Sequence, residues 1–506
     1  MNNLLDFKLP TQPNTSTDRL SWFWLIIGTT LLPFVGLRTT MPLAAWLAPI
    51  FIIRFARTQR ALIALPVIML ASGTAAAVAA RGIFDSPALA IMSPMIGGVV
   101  GILTYGIDRL LAPRLSGVAR TLVFPSAVVT VGFVMSFGPN GTMGVSAYSQ
   151  YNNLPLIQIV SITGLWGLSF LIAWLGPVVN QLWEQGFQNP STQRSSVLFL
   201  GALLIVLAFG NLRLAFAPSV PRTVRVAGLA ADRALWHGLN LPSAAEIAAG
   251  TDELRSSVGA KTMPLLDDLF LRTRQEAQAG AKIVSWSEAA AFILKEDEPA
   301  VIERARTVAR EEGIYLQLGL VIYLRSDHFP YAENRAIMID SSGEVAWDYA
   351  KTIHPLDDRF VFAPGPGVLP MTDSPYGRLT TAICFDADFP SLIRQAGGAD
   401  LLLLPANDWE PVAEMHSRMA IFRAIENGVS LVRPTGNGIS LAVDDLGRLR
   451  AYNADYFVTN EHTLIATVPI KGRPTFYSRV GDIFAYLCVV GLIVLSGLAV
   501  LWRSPK

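Results

Sequence analysis

Three polar side chains in this sequence end runs of apolar or β-branched residues. Glu288 follows AKIVSW, Lys351 ends EVAWDYAK, and Cys384 ends LTTAIC within LTTAICFDADFP. Functional groups in α/β proteins gather where strands give way to loops. Taken singly, each residue has an ordinary alternative: a solvated or capping glutamate, a surface lysine, a cysteine that fills a core. Taken together they supply a chemistry. A thiol with a pKa of about 8.5 is only a few per cent ionised at neutral pH, so a nucleophilic cysteine needs a base or a cation beside it. Glu288 can take the proton of Cys384, and Lys351 can favour the thiolate and hold a developing oxyanion. The backbone N–H of Phe385, one residue past the thiol, is the natural second oxyanion donor. The reaction implied is acyl transfer through a thioester.

Other chemistries fit less well. The five histidines include His354 and His416, but no Gly-x-Ser-x-Gly elbow accompanies them. No His/Cys group has metal-ligand spacing, so neither a metal nor a cofactor is expected. The Gly-Pro-Gly of FAPGPG (362–367) lacks the Lys-Ser/Thr of a phosphate loop.

Positioning these groups falls to the segment from Val224 onward, where short strand-like runs alternate with charged, helix-period stretches. Strands are expected at 224–231, 281–287, 314–324, 334–340, 344–351, 379–384, 400–405, 429–434, 439–445 and 463–470, with a hairpin turn at SSGE (341–344). Helices are expected at 261–279, 299–312, 388–397 and 412–427. The pattern predicts a layered α/β domain whose helices cover a large sheet or a pair of sheets.

The rest of the chain is written for lipid. Charged residues make up 16% of 506 residues and the net charge is +1, against roughly 25% charged in soluble proteins; nothing suggests a nucleic-acid surface. Bilayer-spanning helices need about 20 mostly apolar residues, and runs of that kind lie near 20–37, 41–56, 61–80, 87–106, 121–137, 155–181, 195–217 and 483–502. With the N-terminus inside, the inner loops and tails carry Arg54, Arg57, Arg60, Arg109, Arg114, Arg120 and Arg194, with Lys8, Arg19, Arg503 and Lys506, while the outer loops carry Arg38 and Arg81. The expected division is a membrane domain at 1–217, an extracytoplasmic domain at 218–481 and a final span with a cytoplasmic tail at 482–506. Cys488 falls inside that last span, which leaves Cys384 as a free thiol.

Glu288, Lys351 and Cys384, in this order and each at a strand end, resemble the Glu-Lys-Cys triad of the nitrilase (carbon-nitrogen hydrolase) superfamily. ICFDADFP resembles its nucleophile signature, and FAPG after the lysine is also similar, as are NDW (407–409) and the stretch 416–449. The resemblance implies an αββα sandwich and a supporting role for Asn407. A domain of this kind set between membrane spans is similar to the apolipoprotein N-acyltransferase family; YSQYNNLPLIQIVSITGLWGLSFLIAW (148–174) and TFYSRVGD (475–482) resemble that family's membrane segments. The family's ping-pong route implies an acyl chain taken from a membrane phospholipid onto Cys384 and passed to the N-terminal amine of a diacylglyceryl lipoprotein, at the bacterial inner membrane. Two departures stand out. Ser287 precedes the base where the family has proline, and the loop KTIHPLDDRFVFAPG lacks the family's glutamate, leaving Asp358 or Asp357 to substitute with a shorter reach. That loop keeps two alternatives in view: a membrane-anchored amidase or nitrilase with water as acceptor, and an idle scaffold that binds a lipidated partner. Three aromatic-bearing loops, 325–333, 358–371 and 451–459, are candidates for a lid over Cys384.

Overall fold

The computed structural model describes residues 18–84, 87–218 and 222–501. Lys8, Arg503 and Lys506, counted above among the inner charges, lie outside the described residues. Among the described residues six helices are long and apolar enough to cross a bilayer: Ala61–Ala79, Pro87–Arg114 (its last three residues a 3-10 turn), Gly117–Met135, Val160–Gln185, Pro190–Ala215 and Ile483–Leu501. The first two of the eight expected spans are shorter. Ser21–Leu31 ends in a 3-10 turn that contains Pro33, and Pro42–Thr58 begins at a proline; proline lacks the N–H an α-helix interior needs, and so punctuates both. Inside the bundle Arg57 makes a two-pronged ion pair with Asp108 at 2.9 Å and 2.9 Å, so buried charge there is paired as lipid surroundings require.

The soluble part is two mixed sheets face to face. The first holds β1 (Thr223–Leu229), β2 (Ile283–Trp286), β3 (Ala291–Leu294), β4 (Tyr315–Tyr323), β5 (Ala332–Ile339) and β6 (Val345–Ala350). The second holds β7 (Met371–Ser374), β8 (Gly377–Thr381), β9 (Leu401–Leu403), β11 (Ser430–Arg433), β13 (Ser440–Val443) and β14 (Leu449–Asn453). Two-residue strands β10 (Ala406–Asn407) and β12 (Thr435–Gly436) pair with each other, and β15 (Thr463–Pro469) closes the first sheet against β1. The central strands are parallel, β1–β2–β4 and β8–β9–β11. Parallel strands are covered on both faces and so read as continuous apolar runs; LLLL at 401–404 and the nine buried residues of β4 are written that way.

Side chains from both sheets, among them Val226, Met338, Leu379, Leu403 and Val432, form the core between them. Helices Asp252–Gln278 and Glu298–Glu312 cover the outer face of the first sheet through Leu266, Leu269, Val301 and Ala305. Helix Glu410–Asn427 covers the second sheet, and its far side, with Met415, Met419 and Phe422, packs onto Tyr148, Leu165 and Trp166 of the membrane part. The layers are helix, sheet, sheet, helix, and the last helix is also the seat of the domain on the membrane bundle. All ten expected strands are present; the expected helix at 388–397 is a four-residue turn, Pro390–Ile393, followed by a 3-10 stretch.

Polar bonds fix that seat. The sixth expected span, 155–181, is broken: a short turn at Leu154–Ile157 precedes Val160–Gln185, and inside the latter Gly164 adopts φ 61°, ψ −172°. The break frees the N–H of Leu165, which the buried Glu426 carboxylate accepts at 3.0 Å. Trp166 donates to Asp482 at 2.9 Å, and Thr142 donates through both N–H and hydroxyl to the carbonyl of Asp388, at 2.9 and 2.8 Å. A Cβ on Gly164 would lie 2.5 Å from the Tyr477 ring, and its backbone conformation is one that only glycine adopts readily, at a cost of about 1–3 kcal/mol for other residues. Gly164→Ala is therefore expected to lower the thermal unfolding midpoint of the detergent-solubilised protein by several degrees; an unchanged midpoint would show that the break does not order the seat.

Candidate active site

The loop after β2 carries Glu288, the residue after β6 is Lys351, and Cys384 opens a 3-10 turn (Cys384–Asp388) three residues beyond β8. These ends converge on one cavity of about 1020 Å³ that all three line. Lys351 Nζ donates to Glu288 Oε1 at 2.6 Å, and both side chains are buried. Asn334 Nδ2 donates to the same oxygen at 2.7 Å, and the Asn407 N–H to Glu288 Oε2 at 3.0 Å. A carboxylate offers about four acceptor positions; three are filled, which holds the group still and leaves one for a proton in transit. Cys384 Sγ lies 3.7 Å from the Asn407 carbonyl and 4.0 Å from Asp408 Oδ1.

The electrostatics differ from the sequence expectation in one respect. Burial pushes the Cys384 thiol well above its usual range, Glu288 adds to the shift, and Lys351 only partly opposes it. The resting group is a protonated thiol, which would need a base before it could act as a nucleophile. Burial disfavours the Lys351 ammonium as well, but Glu288, the neighbouring Cys384 and Asp358 outweigh that and raise its pKa, keeping it charged.

Local geometry shows why these residue types sit here. Three non-glycine residues among those described have positive φ, and all three line the cavity: Ala289 at 51°, Cys384 at 46° and Asn437 at 50°. Left-handed backbone at such residues is uncommon and concentrates at functional sites; at Cys384 it lifts the side chain out of the strand direction. The Phe385 N–H, second in the 3-10 turn, has no protein acceptor among the described residues. Gly365 of FAPGPG donates its N–H to the Lys351 carbonyl at 2.8 Å, and a Cβ there would meet the Ala350 oxygen at 2.2 Å. That motif is a backbone brace for the lysine. Gly319 plays the same part for Glu288, since a Cβ on it would lie 1.9 Å from the Ser287 carbonyl.

Of the remaining expected residues, Asp357 and Asp358 line the cavity. Burial raises the pKa of Asp358, against the pull of Lys351. Asn407 contributes through its backbone, and its side-chain oxygen accepts from Asn437 Nδ2 at 2.9 Å. Of the three candidate lid loops, 358–371 and 451–459 reach the cavity with Val361, Phe362, Tyr456 and Phe457, whereas no residue of 325–333 lines it. Both cysteines are free thiols.

Several residues with positioning roles carried no distinctive spacing. Asp386 accepts from Ile383 N–H at 3.0 Å, Tyr349 hydroxyl at 2.8 Å and Ile353 N–H at 2.8 Å. It ties the cysteine turn to both sides of Lys351; burial, resisted by these bonds, pushes its pKa up to about 6. Asp408 accepts from Arg433 through both oxygens, at 2.9 and 3.0 Å, and from His416 Nδ1 at 2.9 Å. Cys384, Asp408 and His416 bring potential ligand atoms within 4.8 Å of one another, a grouping the linear spacing did not reveal. Arg433 already occupies both carboxylate oxygens there, and a fixed guanidinium at the ligand set opposes a dication. The group is better described as a buried charge ladder beside the thiol. On the membrane side the cavity is walled by Ile83, Phe84, Leu89 and Met143, which precede the soluble domain in the chain.

Residues 246–472 match the carbon-nitrogen hydrolase family. The chain is similar to apolipoprotein N-acyltransferase of Geobacter metallireducens, 30% identical over 76% of this chain and 75% of that protein. It is also similar to apolipoprotein N-acyltransferase 2 of Treponema pallidum, 24% identical over 77% of each. Among solved structures, an amidase from Nesterenkonia sp. aligns with 54% of this chain and 98% of its own at 20% identity, with a TM-score of 0.40.

The raised thiol pKa has a direct readout. In a Cys488→Ala background, alkylation of Cys384 by a small haloacetamide is expected to keep accelerating beyond pH 9, whereas an ordinary thiol passes its midpoint at about 8.5. A rate that plateaus below pH 8 would mean that the thiolate is the resting form.

Proposed function

Because the chain belongs to the apolipoprotein N-acyltransferase family, we propose that Cys384 carries an acyl group from a membrane phospholipid to the N-terminal amine of a lipidated apolipoprotein, with Glu288 as base and Lys351 as oxyanion partner. The observation that carries this reading is the shared cavity: the thiol, the ion pair and the membrane-derived residues Ile83, Phe84, Leu89 and Met143 line one space. An acyl chain drawn from the bilayer meets apolar walls up to the thiol, and both substrates are held near it by their lipid anchors, which replaces a search through solution by a local one.

In the first half-reaction Glu288 takes the Cys384 proton as sulfur attacks the ester carbonyl. Lys351 Nζ and the Phe385 N–H hold the oxyanion. Collapse forms the thioester and expels the lysophospholipid alkoxide, which receives the proton back from Glu288. In the second half-reaction the α-amine attacks the thioester, its proton passes to Glu288, and the amide forms as the Cys384 thiol is restored. Asp358, beside Lys351, helps keep the ammonium charged where the loop lacks a glutamate. The altered loop favours one competing outcome, water as the acceptor.

The same proposal puts the catalytic domain on the extracytoplasmic face. Arg54, Arg57, Arg109, Arg120 and Arg194 lie at the helix ends remote from the soluble domain, which supports that orientation under the rule that basic loops stay in the cytoplasm.

A time course with phospholipid vesicles and a diacylated lipopeptide tests the reading. N-acylation of the peptide is expected in the wild type and in Cys488→Ala, and is absent in Cys384→Ala. Lys351→Met is expected to slow it by about 10²–10³-fold, the usual effect of losing an oxyanion donor. Release of free fatty acid with no peptide amide would favour hydrolysis.

A further inference from the structure

A second pocket, of about 370 Å³, opens where the last turn of helix Pro190–Ala215 meets the segment Arg473–Phe476. It shares no lining residue with the catalytic cavity. Two guanidinium groups face it, Arg213 and Arg473, between apolar walls that include Phe209, Phe216 and Phe476.

Arg213 is out of place for a structural residue. It lies in an apolar transmembrane helix, at the end nearest the soluble domain, and among the described residues no carboxylate comes within ion-pair distance of it. Its bonded partner is the neutral side chain of Gln158. Arg473 donates to the Pro218 carbonyl at 2.6 Å and lies 3.2 Å from Asp445. Around the pocket Arg448 donates to the Leu214 carbonyl at 2.6 Å, and Arg450 neutralises Asp444 at 2.6 Å. Of the residues that line the pocket two are arginines and none is a carboxylate, and of these two only Arg473 has an ion-pair partner among the described residues. An arginine toward the end of a membrane helix reaches for the polar interface, where an anionic group can meet it.

Depth identifies the ligand. Arg213 lies about 28 Å along the helix from the inner-loop Arg194 at 1.5 Å per residue, which brings it to the far edge of a hydrocarbon layer about 30 Å thick and so to the level of lipid headgroups. Below it the same helix exposes Leu198, Leu204, Ile205 and Leu212, a surface for acyl chains. Phe216 and Phe476, both exposed, stand at the depth where aromatic side chains favour the interface.

We propose that this pocket binds the phosphate headgroup of an anionic phospholipid, whose acyl chains lie along helix Pro190–Ala215, at a site separate from the acyl-transfer centre. Arginine suits the role because its planar fork meets two phosphate oxygens at once.

The test uses the full chain in nanodiscs of phosphatidylcholine with a minority of phosphatidylglycerol. Lipid that stays with the protein after mild detergent extraction is quantified by mass spectrometry, and alkylation of Cys384 is read in the same samples. Wild type is expected to retain phosphatidylglycerol over phosphatidylcholine. Arg213→Gln combined with Arg473→Gln is expected to lower that ratio roughly tenfold, the Arg→Lys pair to keep most of it, and alkylation of Cys384 to be the same in all three. Added inorganic phosphate should not displace the retained lipid. Equal ratios in wild type and the glutamine variant would overturn the site, and displacement by inorganic phosphate would overturn its assignment to a lipid. If the double variant fails to assemble, Arg213→Gln alone decides by the same ratio. Failure of the acyl-transfer reading appears instead as absent N-acylation in wild type, which leaves this ratio untouched.

Discussion

The arrangement rests on a charged pair held away from water: the Lys351 ammonium on the Glu288 carboxylate at 2.6 Å, both side chains buried. Such a pair contributes little net stability, because desolvating two charges offsets most of their attraction, while removing one partner costs about 3–5 kcal/mol. Its value lies in geometry and charge. Glu288 helps to keep the Lys351 ammonium charged, beside a thiol that burial keeps protonated. Asn334 and the Asn407 N–H complete the carboxylate's shell, and Asp386 ties the cysteine turn to the lysine's flanks. The three functional groups come from three strand ends in two different sheets, and these bonds set their distances.

The same economy joins the domain to the bundle. Thr142 grips the carbonyl of Asp388, four residues past Cys384, and Glu426 accepts from the N–H that the break at Gly164 sets free. Helix Glu410–Asn427 is buried on both sides, by the second sheet and by the membrane helices. The thiol is thereby held at a fixed height over the bilayer, and loop residues of the membrane part become walls of its cavity.

Much of this was legible in the sequence because apolar runs and their ends carry strong signals. The ten strands expected from β-rich runs are present, and Glu288, Lys351 and Cys384 stand at the ends where they were read. What escaped notice had weaker local marks. β3 hides in a four-residue run directly after the base, and β10 and β12 are two residues each. Asp408 and His416 are eight residues apart with no recognisable ligand spacing, and Arg433, 25 residues from Asp408, joins them from β11, next to the parallel pairing of β10 with β12. Asp386, two residues past the cysteine, turns its carboxylate onto N–H and hydroxyl donors, a role its place in the sequence does not announce. The first membrane run, 20–37, forms a shorter helix because a 3-10 turn with Pro33 ends it, whereas the second, 41–56, forms Pro42–Thr58 much as read.

The most direct test of the central claim is the intact mass of the purified protein after incubation with phospholipid as the sole acyl source and no amine acceptor. One hydroxylamine-labile acyl group on Cys384 is the predicted result, with none when Cys384 is alanine. An unmodified Cys384 under conditions where a related acyltransferase is acylated, or an acyl group lodged on another residue, would contradict it.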